Sequence, residues 1–214
     1  MSYKYALFDL DGTLLASAPG IMRCIKETLD NNKVRYNPDD LPKMIGPPFR
    51  VSMTKYCGMT IEEAEKFIVE YRQRYNDYGW KMSEIYDGIP ELLQKLKSHD
   101  IKLATATSKP EIFTKKMLDF HNLTCYFDFI GSAVNDKSRE TKQDVVNWTI
   151  SNLGVEKKEE AIMIGDRLYD IEGARDCGLD TIAVLWGYGS EKEFREYNAR
   201  YICRFPTDVE KIII

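Results

Sequence analysis

The stretch that decides the fold is Tyr5-Ala6-Leu7-Phe8-Asp9-Leu10-Asp11-Gly12-Thr13. Its first four residues are apolar or aromatic without a break, as in a strand covered on both faces. The run opens directly onto Asp9 and Asp11, two carboxylates two residues apart. Taking a charge out of water is costly. Acids at the mouth of a buried strand therefore call for a counter-charge, and a metal ion is the simplest one.

Outward from this stretch, short apolar runs alternate with segments of helical period, the pattern of βαβ units and a parallel sheet. Strands are expected at residues 4–8, 101–106, 127–131, 161–164, 181–185 and 201–203. Ile89, Leu92, Leu93 and Leu96 make one helical stripe, and Val146, Ile150 and Leu153 another. Residues 17–85 break the alternation with helical patterns only. There Ile21, Cys24, Ile25, Thr28 and Leu29 share a face, with Ser17 expected as N-cap and Pro19 in the opening turn. Thr60-x-x-Glu63 reads as a capping box. Behind it Ala64, Phe67, Ile68, Tyr71, Tyr75 and Tyr78 form a stripe expected to pack as core. Ile45-Gly46-Pro47-Pro48 reads as a helix break. The expected fold is α/β: a Rossmann-like, doubly wound parallel sheet from residues 1–16 and 86–214, with an all-helical cap inserted at 17–85.

Composition bounds the function. The 214 residues are 43% hydrophobic and 30% charged, with a formal net charge of −4, so no basic footprint marks a nucleic-acid polymer or an anionic membrane as partner. The five cysteines are odd in number and form no C-x-x-C pair, which argues against a disulfide framework or zinc site and for a reducing compartment. With no signal-like opening and no run of about 18 apolar residues, a cytoplasmic protein is expected. Monomer and dimer both stay open.

In open parallel sheets, ligands bind beyond the carboxyl ends of the strands. The polar residues there are Asp9, Asp11 and Thr13 after the first strand, Thr107, Ser108 and Lys109 after the second, and Gly165, Asp166, Arg167 and Asp170 after the fourth. Lys142 opens the helix before that fourth strand, with Lys137 and Arg139 as alternatives for its role. Oxygen ligands without Cys or His select Mg²⁺ over zinc, and Asp9, Asp11 and Asp166 are the expected metal residues. Thr107, Ser108 and Lys142 suit phosphate oxygens. Metal, cation and fixed donors are what phosphoryl transfer requires. Asp9 is the natural nucleophile, because its carboxylate is already ionised. Asp11 would act as acid and then as base. That role needs its pKa raised from the ordinary value of about 3.9, as a phosphate dianion and Asp9 would do. Asp11 is expected to meet the metal through its backbone carbonyl.

Taken in order, Asp9-Leu10-Asp11-Gly12-Thr13, Ala104 through Pro110, Lys142 in Thr141-Lys142-Gln143-Asp144-Val145, and Ile164 through Ala174 resemble the four motifs of the haloacid dehalogenase superfamily. The resemblance spans essentially the whole chain. It implies a Rossmann-like core, Mg²⁺, an aspartyl-phosphate at Asp9, supporting roles for Gly165 and Asp170, and a small helical cap. Asp11 favours phosphate esters over dehalogenation or phosphonate chemistry, since those branches lack the second Asp. Thr13, where mutases carry a branched apolar residue, favours hydrolysis. Ile45-Gly46-Pro47-Pro48-Phe49 and Leu185-Trp186-Gly187-Tyr188-Gly189-Ser190 resemble the 5′-nucleotidase-like phosphatases close to phosphoglycolate phosphatase. Tyr169 and Trp186 depart from the His and Tyr common in that branch. Lys43 and Arg50 in the cap are candidate substrate contacts.

The expected function is a phosphomonoesterase acting on a small phosphometabolite, with nucleoside 5′-monophosphates first and phosphoglycolate, sugar phosphates or pyrophosphate as alternatives. A phospho-aspartate switch without turnover is the competing class. The long helical insert weighs against it.

Overall fold

A computed structural model of the chain describes residues 3–46, 49–134, 138–139 and 141–214. It divides into two compact units, Met1–Ala16 with Ile85–Ile214, and Ser17–Glu84.

The first unit is an α/β domain. Six strands, β1 (Tyr5–Phe8), β4 (Lys102–Pro110), β5 (Phe129–Ala133), β6 (Ala161–Gly165), β7 (Asp180–Val184) and β8 (Tyr201–Cys203), form one sheet in the order β5-β4-β1-β6-β7-β8. Every pairing in it is parallel. The chain leaves β1 at the centre and returns on both sides, so the sheet is doubly wound and its switch point lies beside β1. A separate two-stranded sheet pairs β2 (Leu15–Ala16) with β3 (Glu84–Ile85), two strands too short to show in the sequence pattern.

The α/β unit carries the helices α4 (Ile89–Ser98), α5 (Glu111–Phe120), α6 (Lys142–Leu153), α7 (Leu168–Asp176), α8 (Glu191–Glu196) and α9 (Pro206–Ile213). Leu7, Val145, Val146, Ile150, Met163 and Ala174 pack in one cluster, which ties β1 and β6 to α6 and α7. Leu7 has no exposed surface, so truncating it to Ala would cost about 2–5 kcal/mol. The stripe Ile89, Leu92, Leu93 and Leu96 is buried, as its spacing predicts.

Several strand boundaries differ from the sequence pattern. Strand β4 runs on to Pro110, because a register shift between Thr107 and Pro110 keeps the chain paired with β5. Strand β5 starts two residues later than expected, because Thr124–Tyr126 forms a 3₁₀ turn. Asp128 then joins the sheet through its side chain, accepting the Leu103 N–H at 2.9 Å. Strand β7 begins and ends one residue early.

The second unit contains α1 (Ala18–Asn31), α2 (Phe49–Cys57) and α3 (Ile61–Asp77) with 3₁₀ turns at Pro38–Met44 and Gly79–Lys81. Thr60 and Glu63 close the expected capping box. Phe67, Tyr71 and Tyr75 are buried, with ring centroids 6.4 and 5.7 Å apart in succession, so the aromatic stripe is packing. Ser17 precedes α1 but is itself near-helical (φ −92°, ψ −7°) and makes no capping bond with its side chain. Pro47 and Pro48 of the expected helix break, and Lys137 as an alternative to Lys142, lie outside the described residues. No helix among the described residues is long and apolar enough to cross a membrane.

Candidate active site

Two neighbouring strands deliver the first two acids. Asp9 follows β1 and Asp166 follows β6, and the Asp9 N–H donates to Ile164 O at 2.9 Å. Asp170 stands on the first turn of α7, where its Oδ2 accepts the N–H of Asp166 (3.1 Å) and of Arg167 (3.0 Å). It thereby satisfies donors that a helix start leaves open. Asp9, Asp166 and Asp170 are all buried, and their carboxylate oxygens lie within 4.8 Å of one another.

Lys142 is the cation inside this group. Thr141 and Asp144 close a capping box that fixes the start of α6, and Lys142 is its first residue. Its Nζ reaches Asp9 Oδ1 at 2.8 Å, Asp170 Oδ1 at 2.7 Å and Ala106 O at 3.0 Å. These three acceptors match the three protons of a buried ammonium. Lys142, expected to hold phosphate, is thus committed to carboxylates in this structure, because an ammonium out of water must find acceptors. Burial disfavours its charge, yet Asp170 and Asp9 outweigh that and hold its pKa above the ordinary lysine value.

Two glycines make room for the acids. Gly12 has φ +86°, and a Cβ on it would stand 2.2 Å from Asp166 Oδ2. A Cβ on Gly165 would stand 2.3 Å from Asp170 Cγ. Asp166 is further fixed by Thr13 Oγ1, which donates to its Oδ1 at 3.3 Å, and by the Tyr188 N–H, which donates to its Oδ2 at 2.7 Å. Trp186 Nε1 donates to Thr13 O at 3.0 Å and ties the two loops together.

Three carboxylates and one ammonium leave two negative charges in the group, the charge of one divalent cation. The titration directions express the same imbalance. Burial pushes the Asp9 carboxyl up to about 6 against the pull of Lys142, with Asp170 adding to the rise. Burial, then Asp170 and Asp9, push Asp166 well above the carboxylate range despite the Tyr188 N–H. A hard divalent ion with oxygen ligands fits this donor set. Asp170 Oδ1 is paired with the Lys142 ammonium at 2.7 Å and its Oδ2 holds two backbone N–H groups, whereas Asp166 Oδ1 accepts the Thr13 hydroxyl at a longer 3.3 Å, so Asp9 and Asp166 are the better placed ligands.

The Asp11 carboxylate is not in this group. Both its oxygens face Lys109 Nζ, at 3.0 and 2.7 Å. Thr107 is buried on the irregular stretch of β4, and its Oγ1 accepts the Lys109 N–H at 3.2 Å. Ser108 beside it is exposed. Arg139 is drawn elsewhere, with Nε on Ser132 O at 3.0 Å and its guanidinium 3.6 Å from the Trp148 ring centroid. In the helical unit, Lys43 pairs with Asp40 at 2.6 Å and Arg50 Nε with Glu65 at 2.6 Å.

Lys109 and the loop Trp186–Tyr188 were given no role by the sequence. A lysine directly after Thr107-Ser108 was a visible signal. A backbone N–H, as at Tyr188, leaves none beyond the glycines on either side.

Comparison with known proteins agrees with this geometry. A family model for haloacid dehalogenase-like hydrolases matches residues 6–184. The protein named tyrosine-protein kinase PtkA in Mycobacterium tuberculosis (strain ATCC 25618 / H37Rv) is 37% identical over 189 residues, 88% of this chain. The chain spans 64% of the length of that relative. A 5′-nucleotidase of Pseudomonas aeruginosa is 32% identical over 206 residues, covering 95% of this chain and 92% of that protein. Among solved structures, one described as a predicted phosphatase from Clostridium acetobutylicum superposes with a TM-score of 0.92 at 38% identity, over 100% of this chain and 99% of the other. With the acids of β1, β6 and α7 gathered at the switch point of a doubly wound sheet, the chain belongs to the haloacid dehalogenase-like hydrolase family.

Proposed function

We propose that the chain is a Mg²⁺-dependent phosphomonoester hydrolase that works through a phosphorylated Asp9 on a small phosphometabolite. Nucleoside 5′-monophosphates are the preferred substrate class, with phosphoglycolate, sugar phosphates and pyrophosphate as alternatives. The observation that carries this reading is the buried trio Asp9, Asp166 and Asp170 at the strand ends, with Lys142 on Asp9. The 5′-nucleotidase and phosphatase relatives, matched over nearly their whole length, support it.

Asp9 and Asp166 would hold Mg²⁺, which when bound draws charge from the phosphate and shields it from the carboxylates. In the first step an Asp9 oxygen forms a bond to phosphorus while the ester P–O bond breaks, and the Asp11 carboxyl gives its proton to the leaving oxygen. In the second, Asp11 takes a proton from water, whose oxygen attacks phosphorus and frees Asp9 and inorganic phosphate. Lys142 holds Asp9 in position throughout. The Thr107 hydroxyl and the Ser108 side chain, on the bulged end of β4, are the proposed phosphate donors. Cytoplasmic residence is part of the proposal, supported by five free thiols.

A second reading follows from the relatives named tyrosine-protein kinase: the phosphoryl group would pass to a tyrosine phenol rather than to water. One experiment separates the two. The protein is incubated with an aryl phosphate and a panel of nucleoside monophosphates, phosphoglycolate, sugar phosphates and pyrophosphate, with Mg²⁺ or with EDTA, and in parallel with labelled ATP. Release of inorganic phosphate that EDTA stops and Mg²⁺ restores is expected. Label on tyrosine with no phosphate release would overturn hydrolysis in favour of transfer.

A further inference from the structure

Lys109 is a buried cation to which the proposed reaction assigns no task. It stands on the irregular stretch of β4, its side chain is 5% exposed, and its Nζ holds both oxygens of Asp11, whose side chain is 23% exposed. Its own N–H donates to Thr107 Oγ1. The proposed phosphate-binding hydroxyl and the backbone that carries this ammonium therefore belong to one short turn.

Two consequences follow from the placement. An acid serving a leaving oxygen has to present one of its own oxygens to it, and Asp11 has both engaged by Lys109. An ammonium carried two residues beyond the proposed phosphate-binding hydroxyl is also open to competition. A phosphate dianion brings two negative charges and several acceptor oxygens against the single charge of Asp11, and the low dielectric around a buried Nζ magnifies that difference.

We infer that Lys109 is a positioning residue that exchanges partners. It clasps the Asp11 carboxylate in the free protein and passes to a phosphate oxygen when a phosphomonoester or inorganic phosphate enters, which releases Asp11 toward the leaving oxygen. The inference rests on the proposed Asp9 hydrolase and adds to it a residue that couples the position of the acid to occupancy of the phosphate seat.

The test is calorimetric titration with inorganic phosphate in Mg²⁺ for the wild type, Lys109→Met, Lys109→Arg, Asp11→Asn and the Lys109→Met/Asp11→Asn double variant, with aryl phosphate turnover measured alongside. Lys109→Met is expected to weaken phosphate binding by about tenfold or more, as loss of a charge-assisted bond does. Lys109→Arg should recover most of it. Asp11→Asn should tighten binding by about threefold or more, because Lys109 no longer has to leave a carboxylate. In the Lys109→Met background that gain should vanish. Should Lys109→Met fail to fold, Lys109→Gln takes its place in the cycle.

Wild-type affinity in the Lys109 variant, or an Asp11→Asn gain that persists without Lys109, would overturn the exchange while leaving hydrolysis standing. The persistent gain would reduce Asp11 to simple repulsion of phosphate. A wild type that neither binds phosphate nor turns over an ester would overturn both.

Discussion

The two units place charge at similar distances in opposite surroundings. In the α/β unit, Lys142 lies 2.8 Å from Asp9 with side chains 7% and 11% exposed. In the helical unit, Lys43 lies 2.6 Å from Asp40 with side chains 58% and 21% exposed. Geometry alone would rank them alike. Water separates them. The exposed pair loses little solvation by forming and little by breaking, whereas each member of the buried group is held by the others and leaves an uncompensated charge when one goes. The Asp9–Lys142 group thus holds charge where it is costly, and the Lys43–Asp40 pair holds it where it is not.

The largest effect should come from the acid itself. Asp9→Asn is expected to lower aryl phosphate turnover by about a thousandfold or more, since an amide cannot form the phosphoryl intermediate. Its near-isosteric shape should leave the circular dichroism spectrum unchanged. Turnover within tenfold of the wild type would dismiss Asp9 as nucleophile.

Lys142→Met removes the ammonium and leaves Asp9 and Asp170 facing each other in a buried site. A loss of about 3–5 kcal/mol in urea unfolding is expected without divalent ions. Mg²⁺ should return part of it by supplying positive charge to the same group. A loss no greater than that of an exposed pair would break the comparison between the units.

Mg²⁺ should also stabilise the wild type. Binding to the folded state alone contributes about 2.7 kcal/mol at a hundred times the dissociation constant. The thermal midpoint should therefore rise with Mg²⁺ and fall on adding EDTA. Asp166→Asn should flatten that dependence, and an unaltered response would place the ion elsewhere.

The strand ends were legible in the sequence because continuous apolar runs such as Ala161–Gly165 have to be buried, and whatever follows them has to stand at the rim. That placed Asp9 and Asp166 without any side-chain geometry, whereas Thr107, expected past the end of its strand, lies within β4. Partnership within the rim was not legible. Whether Lys142 reaches Asp9 depends on how closely α6 approaches the sheet, and that approach is set by packing of Val145 and Val146. Lys109 was in view as a residue type, but its bond to Asp11 joins residues 98 apart, and only the bulge of β4 decides where its side chain goes. The Tyr188 N–H on Asp166 belongs to the backbone and carries no residue-specific signal at all.

Between the two extremes sits Asp128, at the edge of the sheet with its side chain 22% exposed. It accepts from Lys97 at 2.8 Å, Lys102 at 3.3 Å and the Leu103 N–H at 2.9 Å. Burial raises its pKa, but Lys97, the Leu103 N–H and Lys102 overcome that and hold it below the ordinary value. A depressed folded pKa contributes stability above the unfolded value, near 3.9, that is lost as pH falls through the folded one. Asp128→Asn should therefore cost about 1 kcal/mol at neutral pH, and the gap to the wild type should close as pH falls through the lowered folded-state value. A gap that does not depend on pH would assign the cost to fitting the amide group rather than to loss of the carboxylate charge.

The smallest effect on stability is expected in the helical unit, and it separates structure from recognition. Lys43→Ala and Arg50→Ala each remove one partner of an exposed pair, with Lys43 and Arg50 side chains 58% and 54% exposed. Both members of each pair regain water when it breaks, so thermal midpoints should stay within about 2 °C of the wild type. Their proposed contact with substrate makes a different claim. It requires KM to rise for a bulky phosphate ester while KM for a bare aryl phosphate stays put, because the added contact lies on the leaving group rather than on the phosphoryl group. Equal KM values for both esters in both variants would return Lys43 and Arg50 to ordinary surface charge and place substrate choice elsewhere.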